Sequence, residues 1–357
     1  MGFSLGIVGL PNVGKSSLFN ALSRAGANVS NYPFCTIDPN IGVVMVPDKR
    51  LDKLTSLFQS KKTVPTTIEF YDIAGLVKGA HKGEGLGNQF LAHIREADAI
   101  AHVVRCFQSD EIIHVAGTVD PQRDIEIINL ELILSDLAKV EKRLESLKKK
   151  DKKTTKESAF LEKIKNELQT GKPARQFAAA EAEEEFFKEL ALLTRKPVLY
   201  VANVDESGSE KEVAIVRRLA AAEGAQVIAI SSKLEAEIAE LSEAEAKTYL
   251  AELGIKESAL GQLIRAGYEL LNLITFFTAG EKESRAWTIA KGTKAPQAAG
   301  KIHSDMERGF IAAEVVSYDE MIAAGSYAAA RERGVLRTEG KEYVFQDGDV
   351  VVIRFNV

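Results

Sequence analysis

Residues 9–16 read GLPNVGKS, and this stretch decides the fold because it fits the pattern G-x-x-x-x-G-K-S. An apolar run typical of a buried strand precedes it at residues 3–8, and a helical pattern follows at residues 15–23. Glycines let the backbone wrap around phosphate groups, so that several amide N–H groups point inward at the positive end of a helix dipole. The stretch therefore predicts a strand, a phosphate-binding loop and a helix in succession.

Two side chains of this loop have a predicted chemistry. Lys15 has the position from which an ammonium group reaches the β- and γ-phosphates of a nucleoside triphosphate, which makes it a candidate catalytic residue. The hydroxyl of Ser16 is a candidate Mg²⁺ ligand. The pattern favours a Mg²⁺-dependent hydrolase of a purine nucleoside triphosphate.

Further apolar segments are short and continuous, as expected for strands that are buried on both faces of a parallel sheet. They lie at residues 41–46, 66–71, 99–104, 197–202 and 226–230. Helical patterns separate several of them, which indicates βαβ units and an α/β fold with a mostly parallel sheet. We assign residues 1–127 and 194–275 to this nucleotide-binding domain.

Strand signals disappear in residues 128–193, where apolar residues recur every three or four positions. The clearest stripe consists of Leu130, Leu134, Leu137, Val140, Leu144 and Leu147. Two more amphipathic helices fit residues 158–168 and 180–193, so we predict a helical insertion with coiled-coil character. Residues 276–357 combine short β-type segments with one helix near residues 318–331, which predicts a small α+β domain.

The charge distribution limits the possible partners. The chain has 46 Lys and Arg against 51 Asp and Glu, so its net charge of −5 provides no overall basic field and we expect no sequence-specific DNA binding. Residues 139–165 differ, because they contain eleven basic and five acidic residues. Contact with RNA through residues 148–153 is one hypothesis, and a solvated connection between two helices is the alternative.

Cysteine usage and hydropathy indicate the compartment. Cys35 and Cys106 lack the spacing of metal ligands and cannot form a disulfide framework, which favours the reducing cytoplasm. No apolar run approaches the roughly 18 residues of a transmembrane helix, so we expect no membrane association. The first residues have no basic region or cleavage site and are expected to form a strand rather than a signal peptide.

A nucleotide hydrolase also needs further metal contacts and a sensor of the γ-phosphate. Thr36 precedes the second strand and is a candidate Mg²⁺ ligand. Residues 72–75 read DIAG at a strand end, where Asp72 can hold Mg²⁺ through water and the N–H of Gly75 can meet the γ-phosphate. Residues 205–208 also fit D-x-x-G, but they do not follow directly on apolar β residues.

The position after Gly75 is Leu76, where Ras-like enzymes have a glutamine that orients the attacking water. Leucine has no polar atom for this task. Candidates for the substitute are His81, His114 or a group from a partner, because an imidazole titrates near neutral pH. The alternative is a nucleotide-gated RNA- or ribosome-binding module with negligible turnover.

The base-reading motif of guanine-specific relatives, N-K-x-D, is altered here to Asn203-Val204-Asp205-Glu206. Valine replaces the lysine that covers the base, and the longer Glu206 replaces the aspartate that bonds guanine. A site built on such hydrogen bonds discriminates strongly, so the change should remove guanine preference. We therefore favour ATP, whose amine could bond nearby carbonyls or Asn203, over the alternative of a GTPase translation factor. Ser232, in the S-S-K stretch after the next strand, lies near the base.

The chain resembles Obg-related ATPases of the YchF type over essentially its whole length. The stretches that carry the resemblance are GLPNVGKSS, NYPFCTIDPN, DIAGLVKGAHKGEGLGNQFL, NVDE, AWTIAKGTKAPQAAGKIHSDMERGFI and the final FNV. The altered NVDE separates this group from the Obg GTPases. The resemblance implies a P-loop G-domain interrupted by a helical coiled-coil domain, followed by a C-terminal TGS domain of β-grasp shape.

The resemblance also implies ATP hydrolysis and association with the ribosome, especially the large subunit. Nucleotide contacts are then expected from Asn12, Val13, Gly14, Lys15, Ser16 and Ser17. Base contacts are expected from Asn203, the backbone of Val204, and Glu206, with Ser232 nearby. Mg²⁺ ligation falls on Ser16 and Thr36, His114 is the candidate catalytic substitute, and Asn12 matches an asparagine that holds K⁺ in related enzymes.

Overall fold

The computed structural model describes residues 3–25, 40–73, 86–109, 112–149, 156–205, 209–255 and 257–356. These residues form two compact units, one from Met1–Val44 and Glu69–Gly267 and the other from Met45–Ile68 and Tyr268–Val357. The described residues do not include five positions named above for the nucleotide site: Thr36, Gly75, Leu76, His81 and Glu206.

The strands of the first unit are β1 (Ser4–Val8), β2 (Ile41–Met45), β4 (Thr67–Asp72), β5 (Ala99–Arg105), β6 (Val198–Asn203) and β7 (Gln226–Ile230). Its helices are α1 (Lys15–Ala25), α3 (Leu86–Glu96), α4 (Pro121–Lys149), α5 (Lys156–Gln169), α6 (Glu181–Leu190), α7 (Glu210–Ala222), α8 (Ser232–Ile238), α9 (Glu243–Glu252) and α10 (Ala259–Leu270). Short 3₁₀ turns occur at Ala174–Gln176 and Leu193–Arg195.

The first sheet has the strand order β2-β4-β1-β5-β6-β7, and the four pairs from β4 to β7 are parallel. Strands β1, β5 and β6 are buried along their whole length, because helices cover both faces of such a sheet. This explains why their sequences are continuous apolar runs. The predicted α/β class and the mostly parallel sheet are confirmed.

The predicted helical insertion consists of α4, α5 and α6, which share one apolar core. Helix α4 has 29 residues and begins before the predicted stripe, because Pro121 suits a first helical turn and Asp120 accepts from the N–H of Arg123. Helix α6 ends at Leu190, and the carboxylate of Asp136 accepts from the N–H groups of Leu193 and Thr194. This contact ties the return segment to α4.

A buried ion pair anchors the root of the insertion. Arg175 donates to Glu223 at 2.8 Å from Nε, and its Nη2 donates to Asn129 at 3.1 Å. Tyr200, on the central strand β6, donates its hydroxyl to the same carboxylate at 3.3 Å. The side chains of Arg175 and Glu223 are 9% and 10% exposed, so the pair is satisfied inside the protein rather than by water.

The second unit contains β3 (Thr63–Val64), β8 (Leu273–Ala279), β9 (Ser284–Ala290), β10 (Phe310–Ser317), β11 (Arg337–Glu339) and β12 (Asp349–Phe355). The order in its sheet is β11-β10-β12-β8-β9-β3, with antiparallel pairs β8/β9, β10/β12 and β10/β11. Its helices are α2 (Lys49–Phe58), α11 (Ala295–Ile302), α12 (Ser304–Arg308), α13 (Tyr318–Ala324) and α14 (Tyr327–Glu332). The α+β class predicted for the C-terminal region is confirmed.

One detail of this unit differs from the sequence-based expectation. The single helix near residues 318–331 is two helices, because Gly325 adopts a left-handed φ of 83° and Ser326 caps the second helix through the N–H of Ala329. Strand β8 crosses the predicted limit at residue 275, and residues 45–68, assigned above to the nucleotide-binding domain, pack in the second unit. The domain limits given above stay a prediction.

Candidate functional site

Four parallel strands end at one edge of the first sheet. Their last residues are Val8, Arg105, Asn203 and Ile230. Ligands of open parallel sheets bind outside the carboxyl ends of the strands, where the loops diverge. Each loop after these strands contributes to one cleft of about 1040 Å³.

The phosphate-binding loop between β1 and α1 has the conformation that its glycines predict. Gly14 has a φ of 99° and Asn12 a φ of 61°. Both values lie in the left-handed region, which glycine adopts without a Cβ clash and asparagine tolerates better than most residues. A Cβ at Gly9 would lie 2.5 Å from the carbonyl oxygen of Val103, so the loop could not pass strand β5 with a side chain there. Residues 12 and 14–17 line the cleft, and Val13 is buried beneath them.

Lys15 is buried at the base of the cleft, with 7% of its surface exposed. Its Nζ donates to the carbonyl of Leu10 at 2.7 Å. Burial lowers the pKa of Lys15 to about 8, although the charge of Asp72 opposes the shift. The ammonium group is therefore held inside the loop by one carbonyl, and an anion in the cleft would find it already desolvated.

The predicted metal ligands occupy different environments. Ser16 is exposed in the first turn of α1, and Asp72 is half-buried at the end of β4. Burial raises the pKa of Asp72, while the charge of Lys15 opposes the rise. Thr36 lies outside the described residues. Within the described ranges no three His, Cys, Asp or Glu side chains cluster as a metal site, so one carboxylate, hydroxyl groups and ligand oxygens are the donors that this region offers.

Asn203 joins the phosphate-binding loop to the loop after β7. Its Nδ2 donates to the carbonyl of Val13 at 2.8 Å, and its Oδ1 accepts from the N–H of Ser232 at 3.0 Å. Both ends of the amide are used in this buried position. The predicted base contact of Asn203 is untested, and the contacts that the structure gives it are those of a brace between two loops of the cleft.

Val204 and Ser232, the other described residues of the predicted base site, both line the cleft. The N–H of Val204 donates to the carbonyl of Ile230 at 2.9 Å, so this N–H is already used within the protein. Ser232 is 2% exposed, and its buried Oγ has no hydrogen-bond partner among the described residues. Glu206 lies outside the described residues. A buried hydroxyl without a partner in a ligand cleft is a candidate for a polar contact with that ligand.

The cleft has walls that the motifs did not reveal. After β5 they comprise Phe107, Gln108, Ser109 and Ile112, and around α8 they comprise Ala236, Glu237 and Glu240. The signal that could have found the first group is positional, because any residue following a strand of this parallel sheet emerges at the same edge. Arg105 stacks on the ring of Phe107 at 4.4 Å and donates from Nε to its carbonyl at 3.1 Å. These contacts hold the aromatic side chain in place.

His114 lies in the segment between β5 and α4, close to the phosphate-binding loop. The Nδ2 of Asn12 donates to the carbonyl of the preceding residue, Ile113, at 3.2 Å. His114 is 5% exposed, and its Nε2 lies 2.7 Å from the Oδ2 of Asp124. The structure therefore brings His114 beside the cleft, but with its ring turned to a carboxylate on α4.

The basic stretch of the insertion is partly neutralised among its described residues. Four of its basic side chains form ion pairs with glutamates: Arg143 with Glu157, Lys148 with Glu162, Lys163 with Glu183 and Lys165 with Glu141. Exposed pairs of this kind contribute little to stability and can exchange partners. Residues 150–153 of the predicted RNA contact lie outside the described residues. No helix of the described part is both long and apolar enough to cross a bilayer.

Comparison with known proteins identifies relatives along the whole chain. A family model described as a 50S ribosome-binding GTPase matches residues 4–155, and the model of the C-terminal domain of YchF GTPases, described as of unknown function, matches residues 273–356. The chain is 59% identical to the ribosome-binding ATPase YchF of Bacillus subtilis (strain 168) and 52% identical to that of Escherichia coli O157:H7. In both comparisons 100% of each chain is covered.

Solved structures give the same result for the fold. The structure of the Schizosaccharomyces pombe YchF GTPase matches with a TM-score of 0.89 and 42% identity, covering 99% of this chain and 98% of the other. A GTP-binding protein from Pyrococcus horikoshii OT3 matches with a TM-score of 0.64 at 20% identity, covering 99% and 100% of the two chains. The second match is evidence for the fold alone.

Proposed function

This chain belongs to the YchF family, and on that premise we propose that it is a cytoplasmic, Mg²⁺-dependent ATPase whose nucleotide cycle is linked to binding of the large ribosomal subunit. The observation that carries the catalytic part is the phosphate-binding loop, with a buried Lys15 and exposed Ser16 at the start of α1. The bacterial relatives are named ribosome-binding ATPases, whereas the fission yeast relative is titled a GTPase. The choice of nucleotide therefore has to come from this chain's own residues.

The loop amides and Lys15 act on the phosphates. In the proposed complex the Nζ of Lys15, which here donates to the carbonyl of Leu10, turns to the nucleotide and neutralises charge on the β- and γ-phosphates. Such groups stabilise the charge that develops in phosphoryl transfer without reorganising at the moment of reaction. Gly75, whose N–H we expect to meet the γ-phosphate, and His114, as the water-positioning group in place of Leu76, complete the proposed catalytic set.

Ser16, Thr36 and Asp72 are the residues that would hold Mg²⁺, directly or through water. The fit is chemical: exposed hydroxyl oxygen and a half-buried carboxylate are hard oxygen donors, and Mg²⁺ prefers few protein ligands together with phosphate oxygens. Bound Mg²⁺ would neutralise charge on the phosphates. K⁺ is a second candidate ion, with Asn12 as its proposed ligand.

Base selection in this proposal depends on Val204 and Glu206, with Asn203 bracing the cleft and Ser232 contributing its unpartnered hydroxyl. Without the lysine and the aspartate of N-K-x-D, the two guanine-specific hydrogen bonds are absent. The carbonyl of Val204 and the Oγ of Ser232 can both accept from the exocyclic amine of adenine. ATP is the nucleotide that this arrangement favours.

We expect ATP to bind and turn over with a kcat/KM at least about tenfold above that for GTP, because one unmatched buried polar contact costs about 1–3 kcal/mol. Calorimetry with non-hydrolysable analogues and phosphate release would measure the two steps. The variant Val204→Lys/Glu206→Asp, which restores N-K-x-D, should shift preference toward GTP, and Val204→Lys alone serves as its control. Equal use of both nucleotides, or GTP preference in the wild type, would contradict the assignment.

Ribosome binding is expected to be electrostatic and to include Lys148 and Lys149, the exposed last residues of α4. The variant Lys148→Gln/Lys149→Gln should weaken co-sedimentation with 50S subunits and reduce the slope of log affinity against log salt by about 2, since each lost phosphate contact removes about one unit. Lys211→Gln/Lys247→Gln, with two exposed lysines on α7 and α9, is the charge-matched control. Unchanged, salt-insensitive binding of the first variant would remove this surface from the proposal.

A further inference from the structure

The segment that carries His114 contacts the phosphate-binding loop directly. Ile112 lines the cleft, and Asn12 of the loop donates to the carbonyl of Ile113 at 3.2 Å. His114 is the next residue, so the imidazole lies one residue from a hydrogen bond made by the phosphate-binding loop. Any ligand that engages the side chain of Asn12 competes with this bond.

The two ring nitrogens of His114 are both occupied. The N–H of Ala116 donates to Nδ1 at 3.1 Å, so Nδ1 carries no proton and the proton of the neutral ring is on Nε2. Nε2 then donates to the Oδ2 of Asp124 at 2.7 Å. His114 and Asp124 are 5% and 2% exposed, so water does not compete for these bonds. In this orientation the ring has no free nitrogen for a water molecule in the cleft.

The carboxylate that holds the ring is itself fixed. Asp124 lies in the first turn of α4, and its Oδ1 accepts from Nε and Nη2 of Arg123 at 3.2 and 3.0 Å. Arg123 also donates from Nη2 to the carbonyl of Thr118 at 2.6 Å, which ties the end of the histidine segment to the same helix. Asp124 is therefore a rigid acceptor, and the movable partner is the imidazole.

We propose that Asp124 is a positioning residue that holds the His114 imidazole in a resting orientation, and that ATP turnover requires the ring to leave this carboxylate for the cleft. The inference rests on the proposed function, in which His114 positions the attacking water. It assigns Asp124 a negative role in basal hydrolysis, because a population of rings bound to the carboxylate is withdrawn from catalysis.

We call the hold of Asp124 on the His114 ring the clamp. Weakening the clamp should raise kcat for ATP. In Asp124→Asn the acceptor loses its charge, and a hydrogen bond to a neutral group is roughly half as strong, so basal kcat for ATP should increase by about tenfold with KM unchanged. The double variant Asp124→Asn/His114→Ala should lose the increase. Asp120→Ala is the matched control, because the side chain of Asp120 caps the same helix through the N–H of Arg123, whereas the described partners of the ring are Asp124 and Ala116. Its kcat should equal that of the wild type.

A lower or unchanged kcat in a folded Asp124→Asn protein would overturn the proposal. A second measurement does not depend on turnover: ¹⁵N-histidine NMR of the nucleotide-free full chain, with the His114 signals assigned by His114→Gln. We expect an Nε2–H tautomer with slow solvent exchange in the wild type and exchange about tenfold faster in Asp124→Asn. A tautomerically averaged, rapidly exchanging ring in the wild type would also overturn the clamp. Absence of phosphate release from the wild type would defeat the proposed function instead, and the NMR result would then decide the clamp alone.

Discussion

Lys15→Met is expected to reduce kcat/KM for ATP by about 10²–10³-fold or more, since removal of one preorganised donor to the developing charge typically costs that much. Methionine keeps the unbranched apolar stem in a site that is 7% exposed, so the fold should survive. Only the ammonium group is lost. Burial lowers the pKa of Lys15 to about 8, so assays at pH 7 compare a charged side chain with a neutral one.

Phosphate release and calorimetry with a non-hydrolysable ATP analogue would measure this effect. Lys196→Met is the matched control, because Lys196 is a half-buried lysine whose Nζ, like that of Lys15, donates to backbone carbonyls, here those of Arg95 and Ala97. It lies before β6, away from the carboxyl edge that forms the cleft. It should lose some stability and retain nucleotide affinity. Undiminished affinity in Lys15→Met would sink the assignment of the loop as the triphosphate site.

Gly14→Ala should lower ATP affinity by about 10²-fold, because a displacement of about 1 Å in a positioned group has effects of that size. A Cβ at residue 14 would lie 2.1 Å from the Nδ2 of Asn203, the atom that donates to the carbonyl of Val13. The backbone is also held at a φ of 99°, which an L side chain rarely adopts. The alanine Cβ therefore pushes the phosphate-binding loop away from the side chain of Asn203 that braces it.

Gly224→Ala separates the steric clash with Asn203 from the backbone strain of a left-handed φ. Gly224 also has a left-handed φ, of 66°, but a Cβ there meets no atom within 4 Å. This control should cost about 1–2 kcal/mol of stability from backbone strain and leave nucleotide binding unchanged. Thermal unfolding and calorimetry on both variants would test the argument, which fails if Gly14→Ala binds ATP as well as Gly224→Ala does.

Helix α4 connects the proposed His114 clamp with the proposed ribosome-binding lysines. Asp124 lies in its first turn and Lys148 and Lys149 in its last, separated along a helix of 29 residues, or about 40 Å. The same variants can therefore be assayed with and without ribosomal subunits. A rate increase on subunit binding that is absent in Asp124→Asn would be the expected result if the clamp is what the ribosome releases.

Much of the architecture was predictable from sequence because its signals are local. The apolar runs of β1, β5 and β6 indicated strands buried on both faces, and the stripe from Leu130 to Leu147 indicated the long helix of the insertion. The start of that stripe was wrong, because Leu130 is 51% exposed and the buried face of α4 runs through Ile128 and Ile133. The other detail that was predicted wrongly is also local: Gly325 and Ser326 are the stop and start signals that divide α13 from α14, whereas one helix was predicted near residues 318–331. The loop at residues 9–16 was recognisable because glycine spacing directly encodes its backbone conformation.

The contacts that define the candidate site were decided by tertiary structure. Asn203 was selected as a base-reading residue, but whether its amide also braces Val13 and Ser232 depends on how closely β1, β6 and β7 bring their loops together. The pairing of His114 with Asp124 depends on how the segment before α4 folds back on that helix. Sequence by itself determined the phosphate-binding loop, the α/β class and the helical insertion, because these follow from spacing within a few residues. Only the tertiary structure decided which polar groups are buried against each other, because hydrogen-bond partners across the sheet edge are set by packing rather than by spacing.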